Sequence, residues 1–159
     1  MSERSAKLAD HLDAAFADTI AFAESVPDDQ WTAFVGPEQC TIAALASHIE
    51  GSTQGVIDVL VKPIAEQREI PAVNPGMIDA MNAKNAEENA ERPKAETLDA
   101  LRQRSQSIGA YLRGMSDEEL DRTAVLFFSP DPVSAEAVIH SALINHVQEH
   151  LASMKQAVA

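Results

Sequence analysis

His146 and His150 stand four residues apart near the end of the chain. On a helix this spacing sets two imidazoles about 40° apart around the axis and about 6 Å apart along it, so both can reach one ion. On the wheel of that helix the apolar stripe is centred near Val147 and Met154, with His150 on its flank and His146 just beyond. The pair therefore turns toward the edge of a helical interior. His48, beside Leu45, Ser52 and Val59 at the margin of an earlier apolar stripe, offers a third imidazole from a facing helix. Three neutral imidazoles suit zinc, nickel, cobalt or ferrous iron, and three protein ligands leave positions open for water or substrate. That is the composition of a reactive centre rather than of a closed structural one.

A histidine pair at this spacing is weak evidence by itself, because surface and core histidines also fall four apart. His140 lies on the same stripe but about 9 Å and 15 Å along the axis from His146 and His150, and it reads as a packed, hydrogen-bonded side chain. His11, between Asp10 and Asp13, reads as exposed. Ser52, one turn after His48, and Asn82, Asn85 and Asp79 further on are candidates to line the mouth of the site, the asparagines by hydrogen-bonding a substrate. For the asparagines, plain exposed helix positions are the simpler reading. Arg102, Arg104 and Arg113 suit a carboxylate-bearing substrate, although helix-surface ion pairs are the commoner use. Cys40 has no basic neighbour in sequence to stabilise a thiolate and is not read as a nucleophile.

The elements that must position these groups read as helices. Leu8, Leu12, Phe16, Ile20 and Ala23 recur at three and four between Ser5 and Val26, and Pro27 ends that stripe. Residues 30–39 hold Trp31, Phe34, Gly36 and Pro37 without a period, which predicts an irregular connection burying two aromatics and no strand pair. Thr41 caps a second helix through Ile42, Leu45, Ile49, Val56 and Leu60, expected to stop before Pro63. Gly51 and Gly55 weaken it locally or admit a close neighbour. Residues 63–75 form the longest loop and a candidate cover for the site. Asn74 and Pro75 start a short helix to about Glu91. After Pro93 a longer one runs through Leu98, Leu101, Ile108, Tyr111 and Leu112 to Gly114. Ser116 and Glu119 stand at capping-box spacing for one extra turn. Residues 125–133, broken by Ser129, Pro130, Asp131 and Pro132, predict a second irregular connection. Ser134 caps the last helix, with Ile139, Leu143, Val147, Leu151, Met154 and Val158 on its stripe. The expected fold is all-α, a four-helix bundle with an additional short helix and long connections, in one domain over 1–159.

Composition narrows the function classes. The 159 residues are 45% hydrophobic and only 4% aromatic, which suits one Ala/Leu-rich helical core. Lys plus Arg is 12 against 25 Asp plus Glu, a formal charge of −13 that repels nucleic-acid phosphates and anionic membranes. One cysteine excludes an internal disulfide, no apolar run reaches the roughly 18 residues of a membrane helix, and residues 1–12 lack the apolar core of a signal peptide. The expectation is a cytoplasmic protein acting on a small molecule, with neither nucleic acid nor membrane as partner.

Four stretches carry a likeness to a known family: DDQWT at 28–32, TIAALASHIEG at 41–51, LRGMSDEELD at 112–121 and HVQEHLASMKQ at 146–156. In type and order they resemble the DinB-like superfamily, which includes the N-terminal domains of mycothiol-dependent maleylpyruvate isomerases and related thiol S-transferases. The resemblance implies a four-helix bundle in which a histidine on the second helix and a pair on the last bind a divalent metal, here His48, His146 and His150. It further implies a metal-dependent thiol S-transferase using a low-molecular-weight thiol such as bacillithiol, mycothiol or glutathione, with zinc or nickel foremost and iron or cobalt as alternatives. A non-catalytic metal or small-ligand module and a metal-assisted hydrolase stand beside it. Relatives often dimerise through helix faces, so a homodimer is expected. Many relatives carry Trp where this chain has Cys40, which implies a packing change there.

Overall fold

The computed structural model describes residues 2–159. Four long helices make the bundle. α1 spans Glu3–Ser25. α2 covers 42–65 as three abutting pieces, Ile42–Val56, a π-helical stretch Ile57–Val61 and Lys62–Ala65. α3 is Pro75–Glu88, α4 is Lys94–Gly114 and α5 is the short Asp117–Asp121. α6 covers 135–157 as Ala135–Val138, a π-helical stretch Ile139–Asn145 and His146–Ala157. α1 lies along α4, α2 packs on α4, and α6 closes the bundle against α1 and α2.

The stripes read from the sequence form the core: Leu12, Phe16, Ile42, Leu45, Ile49, Leu101, Ile108, Leu112 and Ile139 are fully buried. The starts follow local chemistry. The side chains of Thr41, Asn74 and Ser134 accept hydrogen bonds from Ala44, Met77 and Ala137, each satisfying a backbone N–H that a helix start leaves free. Ser116 and Glu119 form the expected reciprocal capping box. α4 does stop at Gly114, but Met115 follows in extended conformation and no glycine among the described residues has positive φ, so the stop is not a left-handed glycine cap.

Both connections depart from the expected irregularity. Phe34–Val35 (β1) pairs antiparallel with Cys40–Thr41 (β2), Phe34 opposite Thr41 and Val35 opposite Cys40. Trp31 is buried as expected and its indole N–H donates to the Arg92 carbonyl, whereas Phe34 is 60% exposed. With two-residue strands, no alternation exists for a sequence pattern to show. The second connection is likewise a hairpin, Thr123–Leu126 (β3) with Ser129–Ser134 (β4), irregular between Ala124 and Leu126. The prolines at 130 and 132 are tolerated because this two-stranded ribbon has edges on both sides.

Pro63 does not end α2. In an ordinary helix its ring would clash with the carbonyl four residues back, but the preceding turn is wider, with the Lys62 N–H bonded to the Ile57 carbonyl, and the chain continues to Ala65. The following loop therefore begins at the end of α2 roughly 25 Å along the axis from His48, which puts its root away from the histidines.

Candidate metal centre

α2 and α6 bring the three predicted histidines together. His48 reaches the site from the middle of α2. His146 and His150 come from the α-helical end of α6, immediately after its π-helical stretch. One ring nitrogen of each lies within 4.8 Å of the other two, and the ring centroids stand 4.2–5.2 Å apart. Nitrogens on a tetrahedral ion at the usual zinc–imidazole distance sit about 3.3 Å apart, so modest side-chain rotation closes the set on one ion. All three rings are half-buried.

Several backbone ties hold α2 in this position. The Ile42 and Ala43 N–H groups donate to the carbonyls of Ala33 and Trp31, and the Asn85 amide donates to the Ala44 carbonyl at 2.9 Å. Two residues beyond His48, Glu50 accepts from both Nε and Nη2 of Arg104 at 3.0 and 2.6 Å, which fixes α2 to α4.

The electrostatics favour neutral rings at His48 and His146. Burial, reinforced by the charge of His150, pushes the His48 imidazole down to about 4. Burial and then the charges of His150 and His48 push His146 down to about 3. Near neutral pH both keep lone pairs free to ligate. His150 Nδ1 lies 3.1 Å from Glu38 Oε1. Burial pushes the Glu38 carboxyl up, but its hydrogen bond with Ser153 and the charge and hydrogen bond of His150 outweigh this and hold it below the usual range. An ionised carboxylate only accepts, so in the neutral His150 ring the proton sits on Nδ1 and Nε2 carries the free lone pair. That Nε2 is buried and is the one such side-chain atom without a hydrogen-bond partner among the described residues. An unpartnered buried lone pair facing two further neutral imidazoles is the donor set a divalent ion fits.

Of the weaker candidates, Ser52 joins the cluster, its Oγ 3.2 Å from His146 Nε2. Asn85 is engaged with the Ala44 carbonyl and with Asn89, and Asn82 and Asp79 are exposed on α3. Arg102, Arg104 and Arg113 are in ion pairs with Glu24, Glu50, and Asp10 and Asp13. Burial pushes the Cys40 thiol up to about 11, which agrees with an unreactive side chain. His11 is exposed, as expected, but so is His140, against the expectation of a packed ring. The π-helical turns of 139–145 shift the angular phase between His140 and Val147, so a wheel drawn at 100° per residue misplaces it. Glu38 escaped the sequence reading altogether. It sits in a three-residue 3₁₀ turn, Gly36–Glu38, between β1 and β2, where no periodic pattern exists to expose it.

The sequence pattern of the DinB superfamily matches residues 11–154. The chain belongs to the DinB superfamily. Two solved structures share this DinB fold. YfiT from Bacillus subtilis, described as a probable metal-dependent hydrolase with an unusual four-helix bundle topology, aligns with a TM-score of 0.76 at 17% identity over 99% of this chain and 87% of its own. An uncharacterized protein from Clostridium difficile 630 aligns with a TM-score of 0.76 at 14% identity over 98% of this chain and 96% of its own. No curated protein matches the chain. Among the described residues no helix is long and apolar enough to cross a membrane.

Proposed function

We propose that His48, His146 and His150 hold one divalent metal ion and that this DinB protein is a metal-dependent enzyme transferring a low-molecular-weight thiol to an electrophile. The observation that carries the metal reading is the buried, unpartnered Nε2 of His150 in a cluster with two imidazoles whose surroundings keep them neutral. When bound, a divalent ion lowers the pKa of a thiol or water and supplies a nucleophile at neutral pH.

The chain's own groups set the conditions. Three imidazoles leave a coordination position open. Half-burial of the rings limits water around it, and Ser52 places a hydroxyl at its margin. Zinc and nickel suit an all-imidazole set best, and iron and cobalt are accommodated by the same donors. Asn82, exposed on α3, we assign as an outer contact for an arriving thiol or substrate. We treat 1–159 as one domain and a homodimer as its working state.

Metal-assisted hydrolysis is the second reading, favoured by the fold shared with YfiT, described as a probable metal-dependent hydrolase. The two separate in one assay series. The metal-loaded protein is incubated with bacillithiol, mycothiol or glutathione and a halogenated or epoxide electrophile, and in parallel with ester and amide substrates but no thiol. Thiol consumption that is lost in His48→Ala supports transfer. Cleavage without thiol, lost in the same variant, supports hydrolysis. Metal binding with neither activity would leave a binding module.

A further inference from the structure

We propose that Glu38 is the positioning residue of this centre, holding the ring of His150 in the tautomer that presents Nε2 to the metal. The inference rests on the reading of the three histidines as ligands, and it concerns a residue far from them in sequence. Glu38 reaches across 112 positions to place its Oε1 3.1 Å from His150 Nδ1. The hairpin that carries it packs against α6, which brings the carboxylate to this helix.

The backbone around Glu38 is bent to deliver it. Gln39 adopts the left-handed conformation, φ 55° and ψ 36°, and its side-chain amide closes on the Gly36 carbonyl at 2.6 Å. A non-glycine residue in this left-handed region holds backbone strain that the surrounding turn must maintain. The β1–β2 hairpin thus acts as an arm whose tip lies against α6. A carboxylate has no proton to give, so only the Nδ1-protonated form of His150 satisfies both groups. The opposite tautomer would set the Nδ1 lone pair against the carboxylate and turn an N–H toward the other two imidazoles. Carboxylates that hold ligating histidines in this way typically contribute 10–100-fold to metal affinity.

The test uses the full chain, with Glu38→Ala and Glu38→Gln beside wild type. Long-range ¹H–¹⁵N correlation spectra of the metal-free protein report the His150 tautomer, and competition with a chromogenic chelator reports zinc affinity. We expect His150 protonated on Nδ1 in wild type and in Glu38→Gln, whose amide oxygen still accepts. In Glu38→Ala that preference is lost and zinc binds roughly 10–100-fold more weakly. The proposal is overturned if His150 keeps its Nδ1 proton in Glu38→Ala and zinc affinity stays within about twofold of wild type. A wild type that binds no zinc contradicts the ligand reading instead, and the tautomer comparison still decides the role of Glu38.

Discussion

Ser52 Oγ lies 3.2 Å from His146 Nε2, a contact between the middle of α2 and the C-terminal part of α6. One turn before Ser52 stands His48, so α2 presents an imidazole and a hydroxyl to the same partner. The hydroxyl rotates freely and neutral oxygen is a poor ligand beside three imidazoles, so Ser52 supports the cluster without being one of its ligands. Ser52→Ala is expected to fold, to lose about 0.5–1.5 kcal/mol in urea unfolding of the metal-free protein, and to change zinc affinity less than tenfold. A loss as large as that of His150→Ala would make the hydroxyl a ligand and would require a different site.

Stability of the metal-free protein should depend on pH through His48 and His146. Their folded values, about 4 and about 3, lie below the ordinary 6.5. The unfolded chain therefore binds protons that the folded one refuses, and stability grows with pH across that window. The urea midpoint is expected to be flat above about pH 7 and to fall as the pH drops from 6.5 toward 5. The slope should be shallower in His146→Ala. A midpoint that rises on acidification across this range contradicts burial of the two neutral rings.

Two helical glycines give opposite expectations. A Cβ at Gly51 meets no atom within 4 Å, so no neighbouring helix requires this glycine. Gly51→Ala should stabilise by about 0.5–1 kcal/mol. At Gly109 a Cβ falls 2.7 Å from Asp13 Oδ1 and 3.0 Å from Arg113 Nη1, against the ion pair that joins α1 to α4. Gly109→Ala should forfeit that gain, and chemical denaturation of the pair of variants checks the contrast.

Phe16 is fully buried where α1 meets the rest of the core. Phe16→Ala should cost about 3–5 kcal/mol, a large part of the stability of an ordinary domain. Calorimetry should show a lower melting temperature with the helical content kept at low temperature.

Much of this was legible in the sequence because period and spacing carry over directly into helices. The stripe from Leu8 to Ala23 is a buried face, Thr41, Asn74 and Ser134 cap where their types suggest, and His146 and His150 keep their four-residue relation because 146–157 is ordinary α-helix. What stayed hidden has no period. Two-residue strands such as 34–35 and 40–41 show no alternation, and Glu38 lies in the turn between them. The π-helical stretches break the 100° rule itself, so by sequence alone Pro63 reads as a stop and His140 as a core residue.

Convergence of three imidazoles on one cation underlies all of the proposed chemistry, and metal content reads it directly. Untagged protein, loaded with zinc and freed of excess by gel filtration, should carry one zinc per chain by plasma mass spectrometry, and His48→Ala and His150→Ala should carry little. Wild-type protein that retains no more zinc than the two variants would contradict the account.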